Sequence, residues 1–130
     1  MALGKTSGLE NTTEYRGEYE VVAVDESGYY SSAVAMEELC YCVGAISVLE
    51  DEIYAAHVSP GEIGSTPEEI MKDFPTEGEK YILEGVKSRE YDSSTIETVE
   101  SKIEGRHEIF QGAKFVIDQE GEIYPETGKS

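Results

Sequence analysis

The sequence predicts a single mixed α/β domain, and three observations lead to that class. Its 130 residues fit one domain. Short β-branched and apolar runs alternate with two segments that carry helix start signals. Their order is strand, irregular segment, hairpin, helix, strand, helix, hairpin, with strands and helices mixed along one chain. A chain of this length buries roughly two thirds of its unfolded surface, enough for one core. With 38% hydrophobic residues that core is modest.

The first element is "YEVVAVDE", Tyr19 to Glu26, a β-branched run ending in charge and then Ser27-Gly28. "YYSSAVAMEEL" follows and reads two ways. Ala33, Val34, Met36 and Leu39 line either a short helix or an irregular strand. In "LCYCVGAISVLE", Val43, Ile46 and Val48 with an internal Gly44 favour a strand. "IYAAHVSP" is a second apolar run, stopped by Pro60-Gly61. The polar break between the two runs makes them a β-hairpin. "GEIGS" reads as loop.

"TPEEIMKDFP" carries a helix start: Thr66 as cap, Pro67 at the first helical position, Glu69 closing a capping box. Ile70, Met71 and Phe74 face the core, and Pro75 ends the helix. "EKYILEGVKS" is another strand, with Gly85 as a weak point or bulge. "SSTIETVESKIEGR" is the second helix, in which Ser94 and Glu97 form a capping box. Ile96, Val99 and Ile103 recur at helical spacing, and Gly105 ends the helix. "EIFQGAKFVIDQEGEIYPE" supplies the closing strands, with Gln119-Glu120-Gly121 as the turn of a last hairpin. The domain is expected over residues 19–125, between a flexible lead-in (1–18) and a short tail (126–130).

Charge is the extreme feature of the composition. There are 28 acidic and 10 basic residues, for a net charge of −18. Such a surface repels nucleic-acid phosphates and anionic lipid. It suits a protein partner with a basic surface, or a high-salt cytoplasm in which carboxylates keep the protein dissolved. The acids are spread along the chain, as on a solvated surface, and do not form one interaction tail. No run approaches the roughly 20 apolar residues of a membrane span. The N-terminal stretch lacks an apolar signal core. The only two cysteines, Cys40 and Cys42, are one residue apart, which does not support a disulfide scaffold. A reducing cytoplasm is the expected location.

The hairpin gathers the residues with chemical potential. Alternate residues of a strand share a face, so Cys40, Cys42, Gly44, Ile46 and Val48 lie together. If Glu50-Asp51 is a two-residue turn, Leu49 pairs with Glu52, Gly44 faces His57, and Cys42 faces Ser59. Cys42 is then diagonal to His57, about 7–8 Å away between strands, and Gly44 leaves a space beside the imidazole. A one-residue slip would move His57 to the other face. In this register His57 can take the proton of Cys42, giving a nucleophilic thiolate. Ser59 and main-chain carbonyls are the nearby groups able to orient the ring. The competing reading is structural: free cysteines are commonly small apolar fillers.

The string "CVGAISVLEDEIYAAHVSP", followed by a capped helix, a strand, another capped helix and a closing hairpin, resembles the chemoreceptor glutamine deamidases (the CheD family). It is similar also to the deamidase domains of cytotoxic necrotizing factor-type toxins. The element order matches over roughly residues 19 to 125. The sharper identity lies in Cys42-Val43-Gly44-Ala45 and in Ala56-His57-Val58 with Pro60 close behind. The resemblance implies a CheD-like sandwich, with Cys42 as nucleophile, His57 as base and Cys40 as the alternate nucleophile. It implies hydrolysis of a glutamine carboxamide on a partner protein through a thioester, with no cofactor. The family places a threonine six residues before its cysteine, where this chain has Met36, or Val34 if Cys40 is used. A backbone carbonyl would then have to orient the imidazole. The rival expectation is a non-catalytic acidic protein-binding module with the same fold.

Two further constellations are weaker. Cys40, Cys42, His57 and His107 could be grouped as metal ligands, but closed zinc sites more often space cysteine pairs C-x2-4-C, and no metal is expected. Tyr29-Tyr30, among nine tyrosines, would line a rim near the cysteines or simply fill half-buried strand positions.

Overall fold

The computed structural model describes residues 17–37, 39–60 and 66–126. The expected lead-in (1–18), the "GEIGS" loop (61–65) and the expected tail (126–130) fall outside them, apart from Gly17, Glu18 and Glu126. The described residues form nine strands and two helices, confirming a mixed α/β class. The strands are β1 (Tyr19–Val21), β2 (Ser27–Tyr30), β3 (Ala33–Met36), β4 (Val43–Val48), β5 (Ile53–Val58), β6 (Glu79–Glu84), β7 (His107–Gln111), β8 (Lys114–Ile117) and β9 (Ile123–Glu126). The helices are α1 (Pro67–Ile70) and α2 (Ser88–Ser101). Neither is long and apolar enough to cross a membrane.

Two sheets stack with the helices in three layers. The larger sheet has the order β2-β5-β4-β6-β7 and the smaller β1-β3-β8-β9. Between the sheets lies a core that includes Val22, Met36, Leu39, Ile46, Leu83 and Phe115. A second core joins the other face of the larger sheet to the helices, through Val43, Ala45, Tyr54, Ile82, Ile96 and Val99. Both faces of β4 and β5 are therefore covered, and all six residues of β5 are buried. That coverage is why "IYAAHV" runs almost continuously apolar. β6 and β7 are parallel, and α2 is the crossover between them.

The β4–β5 hairpin has the expected register. Val48 pairs with Ile53 and Gly44 with His57, and the Leu49 amide bonds the Glu52 carbonyl at 2.8 Å across the Glu50-Asp51 turn. α1 carries the reciprocal Thr66–Glu69 capping box and Pro67 in its first turn. Ile70, Met71 and Phe74 are buried, as its spacing predicts. The last hairpin turns at Gly121, whose φ of 89° is one that glycine adopts without strain.

Several elements differ from expectation, each for a physical reason. "YEVVAVDE" is not one strand, because it passes from one sheet to the other. The Val22 amide still bonds the smaller sheet, at Ala35 O (2.9 Å), whereas the Asp25 amide already bonds the larger one, at His57 O (2.6 Å). The β-turn between them, Ala23–Glu26, has Asp25 at φ 64°. The ambiguous "YYSSAVAMEEL" divides into β2 and β3, again in different sheets. α2 begins at Ser88, so Ser94 lies inside it and is not a cap. Gly85 is not a bulge within β6 but the residue just after it.

Candidate functional site

The cysteines precede β4 in an irregular stretch and are not part of the strand. That stretch nevertheless stays on the β4–β6 register. Val43 pairs with Glu84, and the Gly85 amide then bonds Cys42 O at 3.0 Å and the Lys87 amide Cys40 O at 2.8 Å. Contact with the neighbouring chain is very close here. A Cβ on Gly85 would strike the Leu39 carbonyl and lie 2.7 Å from Cys42 O. Glycine at this position lets β6 run against the backbone that carries both thiols. The Leu39 amide bonds Ala113 O at 3.0 Å, anchoring the stretch from the β7–β8 connection. Neither cysteine is in a disulfide, both are half-buried, and Cys42 packs against the core between the sheets.

His57 lies on β5 opposite Gly44, so its side chain shares the inter-sheet face with the position of Cys42. One step along from the Gly44–His57 pair, the register sets Cys42 opposite Ser59. Cys42 is thus the diagonal neighbour of His57, and Cys40 is one step further away. The space expected beside Gly44 is filled: a Cβ there would lie 2.5 Å from Met36 Sδ and 3.3 Å from Leu83 Cβ. Met36 therefore packs directly over the glycine that faces the imidazole.

The His57 ring is 1% exposed, and its Nδ1 lies 2.9 Å from the carbonyl oxygen of Val22. A carbonyl can only accept, so Nδ1 carries a proton, and whenever the ring is neutral its lone pair is at Nε2. Val22 itself is 1% exposed, in the core between the sheets. Further bonds tie the β1–β2 turn to this end of β5: Asp25 N to His57 O (2.6 Å) and His57 N to Glu26 O (2.9 Å). Ser59 is buried, and its amide donates to Asp25 Oδ1 at 3.1 Å. The expected backbone orienter thus has a counterpart in Val22. Sequence reading missed both Val22 and Asp25. The one available signal was an aspartate, tolerant of positive φ, closing a β-branched run.

His107 does not join this group. It pairs with Lys80 near the opposite end of the larger sheet, and its Nε2 lies 3.3 Å from Glu100 Oε2. Among the described residues, no three His, Cys, Asp or Glu side chains converge as metal ligands would. Tyr29 and Tyr30 are also remote from the cysteines, since Tyr30 pairs with Ile53 beside the hairpin turn. Tyr29 is exposed and packs edge-on against Tyr54, with centroids 4.8 Å apart. The tyrosine that does flank the thiols is Tyr41. Its exposed ring lies 4.8 Å from that of Tyr91 on α2. Comparison of the chain with models of known protein families gives no match, and neither does comparison with curated proteins.

Proposed function

We propose that this protein is a cysteine-dependent protein-glutamine deamidase, related to the chemoreceptor deamidases. The observation that carries the reading is the 2.9 Å contact between His57 Nδ1 and Val22 O, on a strand whose register makes Cys42 the diagonal neighbour. With Nδ1 protonated, Nε2 is the nitrogen able to take the Cys42 proton. The resulting thiolate attacks the carboxamide carbon of a glutamine on the partner, forming a tetrahedral oxyanion. Backbone amides stabilise such an oxyanion. The C–N bond breaks, His57 returns its proton to the nitrogen, and ammonia leaves. Water, deprotonated by His57, then adds to the thioester and releases glutamate and the Cys42 thiol. Cys40, one register step further out, is the alternate nucleophile. Ser59 contributes its amide to the Asp25 carboxylate that braces the turn. The net charge of −18 favours a substrate protein with a basic surface and a cytoplasmic setting.

The same charge favours a second reading, an acidic binding module in which the Cys–His hairpin is only core. Thiol alkylation separates the two. In the deamidase reading, iodoacetamide modifies Cys42 rapidly at mildly acidic pH, and His57→Ala removes that rapid phase. Two sluggish thiols that react only after unfolding would leave the binding module.

A further inference from the structure

The residue that brings Val22 to the imidazole is Asp25. Its amide donates to His57 O at 2.6 Å, and its Oδ1 accepts the Ser59 amide at 3.1 Å. One side chain and one N–H therefore grip β5 on either side of Val58. Asp25 is also the one non-glycine residue with positive φ among the described residues, at 64°. That conformation costs most side chains energy and suits Asn, Asp and Gly. It turns the chain so that Val22 O, three residues upstream, meets His57 Nδ1. The remaining bond, His57 N to Glu26 O at 2.9 Å, closes the strap from the other side.

We propose that Asp25 is a positioning residue: through the Ala23–Glu26 turn it presses the Val22 carbonyl onto His57 and so fixes the tautomer that leaves Nε2 basic. The role rests on the thiol–imidazole reading above, but the tautomer can be read separately from it. The role needs a hydrogen-bond acceptor at Oδ1 and a residue that tolerates positive φ, both of which asparagine supplies. Glycine can adopt the positive φ but cannot hold Ser59. Alanine can do neither.

The test uses the full chain in a Cys40→Ala background, with Asp25→Asn, Asp25→Gly and Asp25→Ala. Circular dichroism establishes that each variant folds. Imidazole nitrogen NMR shifts report the His57 tautomer, and iodoacetamide alkylation at mildly acidic pH reports Cys42. The Asn variant is expected to keep the parent's Nδ1–H tautomer and alkylate within about twofold of its rate. The Gly variant is expected to populate the Nε2–H tautomer and alkylate about tenfold more slowly, the equivalent of one net hydrogen bond. Asp25→Ala should be slower still. A Gly variant with the parent's tautomer and rate overturns the proposal, and so does an Asn variant as impaired as Gly. If the parent shows no His57-dependent alkylation while Asp25→Gly still shifts the tautomer, the deamidase reading falls and the positioning role stands.

Discussion

At Gly85 even a methyl group collides with main chain, at the Leu39 carbonyl and at Cys42 O, 2.7 Å away. Backbone cannot rotate aside, so Gly85→Ala must push the cysteine segment off β6. We expect a loss of about 3 kcal/mol or more in urea unfolding. Gly44→Ala is a milder case. Its new methyl meets Met36 Sδ at 2.5 Å, the end of a flexible side chain, together with the less yielding Leu83 Cβ at 3.3 Å. About 1–2 kcal/mol is expected there, and a larger loss would mean that Met36 cannot swing away. The facing of Gly44 and His57 follows from the sequence once Glu50-Asp51 is the two-residue turn; the polar Glu50-Asp51-Glu52 break alone does not choose that register over a one-residue slip, and the structure does. The partner of the imidazole was not legible. Val22 reaches it from a different segment, through a carbonyl that no residue type advertises.

Two copies of one capping pattern show where local sequence stops deciding. Thr66-x-x-Glu69 caps α1 in both directions, through Glu69 N to Thr66 Oγ1 and Thr66 N to Glu69 Oε1, each at 3.2 Å. Thr66→Ala should lower stability by about 1 kcal/mol. Ser94-x-x-Glu97 has the same spacing but falls in mid-helix, so Ser94→Ala should lower the melting temperature less than Thr66→Ala. The true start, Ser88, lies three residues after Gly85 and bonds its carbonyl through both its amide (3.1 Å) and its hydroxyl (3.0 Å). The buried face of α2 runs through Ser88 and Thr95 before Ile96 and Val99. The buried residues that come first, Ser88 and Thr95, are polar, so apolar periodicity finds only the second half. "YEVVAVDE" reads as one strand for a related reason: a β-branched run says that a chain is extended, not which sheet it joins.

Over the whole molecule, burial and acidity act together on the tyrosines. Desolvation, then the neighbouring Glu79 carboxylate, push Tyr81 up to about 12 from 10.0. Burial raises Tyr30 and Tyr54 as well. A raised pKa means that the folded state holds its proton after the unfolded state has lost it. The associated stability is complete below pH 10 and drains away towards 12. Urea titrations across that range should show the decline, and Tyr81→Phe should make it shallower; an unchanged decline would assign it to other groups. The net charge of −18 adds self-repulsion that salt screens. Raising salt at neutral pH should therefore raise the melting temperature, and a flat response would mean that the carboxylates are already spaced beyond mutual reach.

The account turns on whether the Cys42 sulfur and the His57 ring form one ionising pair. The most direct measurement is the thiolate ultraviolet absorbance of the folded Cys40→Ala protein against pH, with and without His57→Ala. A paired thiol gives thiolate signal well below the ordinary cysteine range near 8.5, and that signal disappears when the imidazole is removed. A single ionisation in the ordinary range, unchanged by His57→Ala, would contradict the pairing and leave the hairpin as core.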